Sequence, residues 1–319
     1  MTRLLVAFAL LIFACASAAV PPPAGSSLRR DDLRVAGIAY RLATDGRAFC
    51  PESFPVTGLL FHHLADYAPK DRPAMIQRHG LDRGLGVLSV VEGSPAARAG
   101  LIAGDVLLSV NGSTLEAAAL DSDRAIRDAI ESRLEDQLAA GPARLRLHRS
   151  GADVELVIEP ERGCPSRVRL ARSSQVNGFA NARAAVITTA LIAETQGDDE
   201  LAIVIGHELA HVALRHPERL IAQGVPRGLL RGFGVNAERV YLTEQEADRL
   251  GIKLAWAAGY DVRAAIPFWR RFYARYDGPQ LFRTHPSLQL RERLISETLA
   301  ELEAGAQRPE LRKGALRQR

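Results

Sequence analysis

Residues 199–215 read DELAIVIGHELAHVALR, and this stretch decides the fold of the second half of the chain. Its apolar residues recur at the spacing of an α-helix, so we predict one helix over these positions. His207 and His211 are four positions apart, which places them on one helical face, where they can share a metal ion. Glu208 directly follows the first histidine and can reach a water molecule on that ion. The stretch therefore predicts a zinc site with His207 and His211 as ligands and Glu208 as the catalytic base.

The surroundings of the motif favour a metal site over a surface helix that carries these polar residues incidentally. Most other positions of the helix are apolar, and burying two histidines and a carboxylate among them without a partner would be costly. A catalytic zinc ion takes a third protein ligand. His216 is five positions beyond His211 and is expected to point off the shared face, and Pro217 stands where an extended three-histidine motif needs its last ligand. The third ligand therefore has to come from elsewhere in the chain.

A second candidate helix, 243–258, offers the missing groups. It contains the run Glu244-Gln245-Glu246-Ala247-Asp248. Glu244 and Asp248 are four positions apart and share one helical face. We expect Glu244 to bind the metal and Asp248 to accept a hydrogen bond from a ligand histidine, because ligand histidines commonly donate to a carboxylate. Glu246 points elsewhere and is expected to be solvated.

The N-terminal residues predict export. Arg3 precedes the apolar run Leu4–Ala14, which is followed by small residues and then by three prolines. This pattern is typical of a cleaved signal peptide, which we place at 1–19. The alternative is a lipoprotein signal in which Cys15 carries a lipid. The expected location is periplasmic, and contact with a membrane is expected only if Cys15 is lipidated.

Composition restricts the partners and suggests a disulfide. The 319 residues carry a net charge of +4 with charges interspersed, except for a basic tail at 306–319. Without a zinc finger, an RNA-binding signature or a basic helix, nucleic acid is not an expected partner. Cys50 and Cys164 are the cysteines left after the signal peptide, and in an exported protein we expect them to be bonded rather than to remain free thiols. The bond would staple the base of the segment between them.

The segment 81–160 has the strand and turn pattern of a small β-rich domain, and a short helix is predicted before it at 57–67. Three blocks resemble a PDZ domain, namely Gly84-Leu85-Gly86-Val87, Ser94-Pro95-Ala96-Ala97 and Gly104-Asp105-Val106-Leu107. The resemblance implies a groove that takes an extended peptide as an added strand. The backbone N–H groups of Gly84, Leu85, Gly86 and Val87 would face the C-terminal carboxylate of that peptide. A PDZ fold that serves only as a spacer is the alternative.

Three ordered blocks resemble the Ste-type, CAAX-prenyl-protease-related zinc endopeptidases of peptidase family M48. They span 176–211, 244–261 and 284–291. The resemblance implies a helical zincin fold with Glu244 as third ligand. It also implies that His285 and Arg291 approach the site and act in catalysis, with His285 able to cap the zinc as a removable fourth ligand. A plain helix-start role for His285 is the alternative.

The whole chain is thus predicted to be an α+β protein. A mainly helical zincin-type metallopeptidase domain with a small edge sheet, formed by 20–80 and 161–305, receives an inserted PDZ-like domain at 81–160. We expect a zinc endopeptidase with one Zn²⁺ per chain. It would cut unfolded or extended polypeptides of the cell envelope, laid as a strand along 184–189. The alternative is a periplasmic peptide-binding or chaperone module with a silent metal site, although no ligand or base is missing from the motif.

Overall fold

The computed structural model describes residues 24–115, 123–226, 234–276 and 286–306. The predicted signal peptide, Cys15, His285 and nearly all of the basic tail lie outside these ranges. Within the described ranges, every helix is too short or too polar to span a bilayer.

Ten α-helices account for about half of the described chain, and the two longest are the first, with 22 residues, and the eighth, with 24 residues. They are α1 Ala24–Asp45, α2 Arg72–His79, α3 Pro95–Arg98, α4 Asp123–Ala139, α5 Thr189–Ala193, α6 Asp198–Ala213, α7 His216–Ala222, α8 Gly234–Ala257, α9 Ala265–Arg275 and α10 Leu288–Ala306. Helix α6 corresponds to the helix predicted at 199–215, and α8 begins well before the predicted 243.

The strands form two sheets and one isolated pair. They are β1 Phe54–Val56, β2 Leu59–His62, β3 Leu85–Val90, β4 Val106–Val110, β5 Ser113–Thr114, β6 Ala143–Arg149, β7 Ala152–Ile158, β8 Glu161–Gly163, β9 Val168–Ala171, β10 Gly178–Ala180 and β11 Ala185–Thr188. An antiparallel sheet has the order β2-β3-β4-β6-β7 with β5 on β4, a second sheet has the order β10-β11-β9, and β1 pairs with β8. Two large and separate apolar cores result, one in each domain, and Leu220, Val225 and Val240 form a small third cluster.

Close packing of α6 against α8 sets the geometry of the peptidase core. The two helices meet at Gly206 and Gly251, and a Cβ atom on Gly206 would lie 2.8 Å from the carbonyl oxygen of Gly251. Only glycine allows two backbones to approach this closely. Helix α6 is buried almost all the way round, which matches its apolar sequence. The contact brings the histidine motif of α6 beside the acidic run of α8.

The PDZ-like sheet begins earlier in the chain than the predicted residue 81. Residues 59–62 form strand β2 at one edge of this sheet, so the helix predicted at 57–67 is wrong. The physical reason is that a short apolar run such as Leu59-Leu60-Phe61 fits a strand or a buried helix equally well by periodicity. Pairing with β3, with Phe61 opposite Val87, decides in favour of the strand.

The peptide-binding backbone predicted at Gly84, Leu85, Gly86 and Val87 is also wrong. Residues 85–87 belong to β3, which pairs with β2 on one side and with β4 on the other. The N–H of Val87 donates to the carbonyl of Asp105 at 2.7 Å. An inner strand has no free edge on which a peptide could add, whereas an edge strand has one. The free edge of this side of the sheet belongs to β2.

A disulfide joins Cys50 to Cys164, with Cα atoms 5.7 Å apart. Cys50 follows a short turn after α1, and Cys164 follows β8, so the bond ties α1 to the point where the chain returns from the PDZ-like sheet. The pairing closes a loop with a sequence separation of 114 that contains this whole sheet. The bond therefore lies at the base of the inserted domain.

Replacing both cysteines by serine is expected to lower the free energy of unfolding by about 2–5 kcal/mol, because the cross-link restricts the unfolded chain. Urea unfolding of oxidised wild type and of the double variant measures the difference. Reduced wild type serves as the matched control and should unfold like the variant. Equal unfolding midpoints for oxidised and reduced wild type would contradict the prediction.

Candidate metal centre

Three buried side chains from α6 and α8 converge on one point. The Nε2 atoms of His207 and His211 are 3.2 Å apart. The carboxylate of Glu244 lies 3.4 Å from Nε2 of His207 and 3.6 Å from Nε2 of His211. A metal ion needs several histidine, cysteine or acidic side chains close together. Among the described residues, these three form the one such group.

The geometry of this triad fits a tetrahedral zinc ion. Zinc binds nitrogen and oxygen at about 2.0–2.1 Å, so two neighbouring ligand atoms in a tetrahedron are about 3.3 Å apart. The two Nε2 atoms are 3.2 Å apart, Oε2 of Glu244 lies 3.4 Å from Nε2 of His207, and Oε1 of Glu244 lies 3.6 Å from Nε2 of His211, so each of these contacts is close to that value. Two imidazoles and one carboxylate are a donor set that zinc prefers. A zinc ion held by these three residues would have one further position for water or substrate.

Asp248 supports His207 from behind. Its Oδ1 lies 2.9 Å from Nδ1 of His207, and its Oδ2 accepts a hydrogen bond from Nε of Arg291 at 2.9 Å. Burial would raise the pKa of Asp248, but Arg291 and His207 hold it below its usual range. Burial would lower the pKa of His207, but Asp248 and Glu244 outweigh it and raise that pKa to about 10. An ionised Asp248 therefore directs Nε2 of His207 toward the metal position.

Arg291 is fully enclosed at the side of the triad. Its guanidinium carbon lies 3.9 Å from the ring centre of Trp269, a cation–π contact that complements the pair with Asp248. Its Nη2 atom is buried and has no hydrogen-bond partner among the described residues. Arg291 thus anchors the carboxylate that orients His207, and it keeps its Nη2 group available as a donor. His285, predicted to cap the zinc, lies outside the described residues.

His211 has its own support, which the sequence prediction missed. Nδ1 of His216 lies 2.9 Å from Nδ1 of His211, and Nε2 of His216 lies 2.9 Å from Glu246. Arg219 donates two hydrogen bonds to Glu246, at 2.6 and 3.2 Å. The predictions that His216 points away and that Glu246 is merely solvated are therefore wrong.

The break between α6 and α7 explains this arrangement. Arg215 has φ of 53°, a left-handed conformation that ends one helix and turns the chain before the next begins at His216. Pro217 occupies the first turn of α7, where proline is tolerated. This proline is the sequence signal that could have indicated a helix boundary before His216. Burial, followed by the neighbouring His211, lowers the pKa of His216 to about 4, so its ring is neutral near pH 7.

The side chain of Glu208 lies against the edge of the small sheet, and it lines one cavity together with His207. A Cβ atom on Gly178 would lie 2.8 Å from Oε1 of Glu208, so the absent side chain at this position leaves room for the carboxylate. Gly178 begins strand β10, which is an edge strand. The predicted substrate strand, 184–189, corresponds to β11, which is paired on both sides and has no free edge. That prediction is wrong, because the edge strand beside the base is β10.

An apolar cavity opens beside His207 and Glu208. Its walls come from the loop before β10, from α5, α6 and α9, and from Arg291. The lining side chains include Val176, Leu191, Val204, Trp269, Phe272 and Tyr273. Apolar and aromatic walls bury an apolar ligand group favourably. The cavity therefore suits a bulky apolar side chain held next to the metal position.

A second groove lies where the PDZ-like domain meets the peptidase domain. Strand β2 and helix α4 border it, with Leu59, Leu60, Leu134 and Leu138 among its lining, and β9 closes the opposite side. Arg169 of β9 and Arg167, which directly precedes this strand, are paired with acidic residues of α4. Arg167 contacts Glu135 at 2.6 Å and Arg169 contacts Glu131 at 2.9 Å. Since β9 and β10 are the two edges of one sheet, this sheet borders both the groove and the metal centre.

Comparison with known proteins identifies both domains. Residues 155–239 and 227–299 match Peptidase family M48, and residues 86–137 match the PDZ domain. Over 155 residues the chain is 28% identical to the beta-barrel assembly-enhancing protease of Yersinia pestis, covering 38% of this chain and 32% of that protein. Over 135 residues it is 30% identical to the mitochondrial metalloendopeptidase OMA1 of Arabidopsis thaliana, covering 35% of this chain and 27% of that protein. The chain thus spans about a third of the length of these relatives.

Among solved structures, the chain is similar to the HtrA3 PDZ domain bound to a phage-derived ligand. The identity is 21% and the TM-score 0.25, with coverage of 35% of this chain and 89% of that chain. The α+β fold class and the family resemblance predicted from the sequence are confirmed by the family matches. The chain carries a metallopeptidase domain of peptidase family M48 together with a PDZ domain.

Proposed function

We propose that this protein is a zinc-dependent endopeptidase that hydrolyses unfolded or extended polypeptides. One observation carries the proposal, namely the buried triad of His207, His211 and Glu244 with separations of 3.2–3.6 Å, with Glu208 lining the same cavity as His207. Zinc bound there would polarise the scissile carbonyl and lower the pKa of its water toward ~7. One Zn²⁺ per chain is proposed.

The residues around the triad have distinct tasks in this reaction. Glu208 takes the proton from the attacking water and delivers it to the leaving amine, because its carboxylate lies beside β10 and lines one cavity together with His207. Asp248 and Arg291 keep His207 in the orientation that a ligand needs. The buried Nη2 of Arg291 is a donor on the wall of the adjoining cavity, where it can hold a backbone carbonyl of the substrate.

The shape of the cleft supports an extended substrate. The free edge of β10 can pair with a strand of the substrate, which would bring a peptide bond past Glu208. The adjoining cavity, walled by Trp269, Phe272 and Tyr273, would take an apolar side chain next to the scissile bond. Extended segments with large apolar residues are exposed in unfolded proteins and hidden in folded ones. The cleft therefore selects unfolded chains.

The PDZ domain would capture the substrate at the groove between β2 and α4. A peptide added to the free edge of β2 would lie against Leu134 and Leu138 of α4, with its C-terminal carboxylate at the turn before Leu59. The predicted signal peptide at 1–19 supports a periplasmic site of action, with Cys15 lipidation as the alternative. The role we propose is quality control of exported, misassembled proteins, and the name of the Yersinia pestis relative is in keeping with it.

A cleavage assay tests the endopeptidase proposal. Zinc-loaded protein is incubated with reduced, carboxymethylated casein, and the products are identified by mass spectrometry. We expect internal cuts that stop on chelation with 1,10-phenanthroline, resume on adding zinc, and cluster at bulky apolar residues. Binding of casein without any cleavage by the zinc-loaded protein would instead support the chaperone alternative.

Peptide capture is tested by placing a charge in the groove. Leu60→Arg on β2 is expected to weaken binding of a fluorescent C-terminal peptide by about tenfold or more, because an apolar contact worth about 1.5–3 kcal/mol is lost. Fluorescence anisotropy measures the dissociation constant. Val157→Arg is the matched control, since Val157 is 60% exposed on β7, at the opposite edge of the same sheet. Equal binding by both variants would place capture elsewhere.

A further inference from the structure

The two ligand histidines of the proposed metal centre are held in different ways. His207 faces the carboxylate of Asp248. His211 instead faces the ring of His216, with the two Nδ1 atoms 2.9 Å apart. An ionised carboxylate can act only as the acceptor of a hydrogen bond from a histidine. An imidazole nitrogen can either donate or accept, according to the tautomer of its ring. The contact between His211 and His216 is therefore a hydrogen bond only if another group fixes the tautomer of His216.

The proton positions along this contact follow from the metal-binding role. When Nε2 of His211 binds the metal, its Nδ1 carries the proton and is a donor. Nδ1 of His216 must then be the acceptor, so the proton of His216 is on Nε2. That atom lies 2.9 Å from Oε2 of Glu246, which accepts it. Each N–H group along these contacts thus faces an acceptor, and no two N–H groups point at each other.

The charge of Arg219 holds Glu246 at the outer end of these hydrogen bonds, and burial holds His216 at their inner end. Arg219 donates two hydrogen bonds to the carboxylate of Glu246, and so fixes it toward His216. His216 is only 1% exposed, so its ring is shielded from water. The left-handed turn at Arg215 directs His216 back toward α6. The same orientation of His211 is thus favoured by four residues, namely Arg215, His216, Arg219 and Glu246.

We propose that His216 is a positioning residue of the metal centre. It accepts the Nδ1–H of His211, and the ion pair of Glu246 with Arg219 keeps it in the accepting tautomer. This inference rests on the proposed zinc site and adds to it a histidine-to-histidine support that no part of the H-E-x-x-H motif contains. Loss of the acceptor leaves the Nδ1–H of His211 buried and unpaired, and the energy of that unpaired donor opposes metal binding.

The test measures zinc affinity rather than proteolysis. Zinc dissociation constants are obtained by competition with a chromophoric chelator for wild type, His216→Ala, His216→Asn and Glu218→Ala. We expect His216→Ala to raise the dissociation constant about 10–100-fold, the range for loss of a group that orients a metal ligand. Asn places its Oδ1 near the position of the histidine Nδ1, so His216→Asn should restore most of the affinity. Glu218 is exposed on the same helix, and its variant should bind zinc like wild type.

Cobalt substitution supplies a second readout. The visible absorption bands of Co²⁺ report the geometry of its ligands, and we expect them to shift in His216→Ala and to return in His216→Asn. Far-UV circular dichroism establishes that each variant is folded, and if His216→Ala does not fold, Glu246→Ala replaces it as the variant that loses the tautomer lock, with the same expected direction.

Three results have separate meanings. Wild-type zinc affinity and cobalt spectrum in folded His216→Ala would overturn the positioning role. A folded His216→Asn that is as weak as His216→Ala would overturn it as well, because packing of the ring rather than its acceptor would then be responsible. Failure of wild type itself to bind zinc would refute the proposed metal centre, and is distinguishable because it does not depend on any variant at His216.

Discussion

Glu208→Gln is expected to lower kcat by about 10²–10⁴-fold while leaving bound zinc unchanged, because an amide cannot take the proton of the attacking water. Gln has nearly the shape of Glu, and the space beside Gly178 that holds the carboxylate holds the amide equally well. None of the three proposed ligands is altered. The loss should therefore fall on the chemical step and not on metal binding. A fluorogenic peptide with a bulky apolar residue next to its cleavage site gives kcat and KM, and atomic absorption gives the zinc content.

The control for this experiment is Glu218→Gln, the same chemical change at an exposed position of α7. It should retain wild-type kcat. In Glu208→Gln, a large fall in kcat with little change in KM is the signature of a group that acts in the transition state. If Glu208→Gln with full zinc retained wild-type cleavage of casein, the hydrolase mechanism proposed here would be wrong.

Glu244→Ala is expected to abolish activity by releasing the metal. Two histidines remain on α6, and two protein ligands do not make a catalytic zinc site. Glu244 is only 3% exposed, so a water molecule would have to enter a closed site to replace its oxygen. We expect the zinc dissociation constant to rise by more than the ~10–100-fold that follows loss of an orienting group. Zinc content after dialysis against a chelator measures the effect, and zinc should no longer raise the melting temperature.

Glu238→Ala is the matched control, because Glu238 is exposed on the same helix α8. It should keep one zinc per chain and full activity. Stoichiometric, tightly bound zinc in Glu244→Ala would show that another residue supplies the third ligand. His285 would then be the next residue to substitute, since the family resemblance brings it to the site.

The proposed metal ligands and Asp248 could be predicted because each pair is local in sequence. His207 and His211 share a helix at a separation of four, as do Glu244 and Asp248 on another helix, and the helical repeat converts that spacing into one face. The structure brings the two faces together through the contact of Gly206 with Gly251. Nothing in the separations within each helix specifies that contact.

The misplaced strands have a different cause. Residues 59–62 and 185–188 are short apolar runs, and their periodicity does not say whether a strand is at the edge or the centre of a sheet. Edge position depends on which strands pair, and pairing is a property of the whole sheet. The predicted peptide site at 84–87 and the predicted substrate strand at 184–189 failed for this one reason. Residues 85–87 and 185–188 belong to inner strands, and the free edges belong to β2 and β10.

By itself, the sequence determined the type of chemistry, the domain families and the residues that face one another within a single helix. These depend on residue identity and on fixed helical spacing. Only the tertiary structure decided which strand edges are free. It also decided that one sheet borders both the groove, through β9, and the proposed metal centre, through β10, and that His216 contacts His211. Those features depend on contacts between distant segments and on one left-handed residue at Arg215. Local spacing contains no information on such contacts, because the same short segment can be packed in several ways until the rest of the chain selects one.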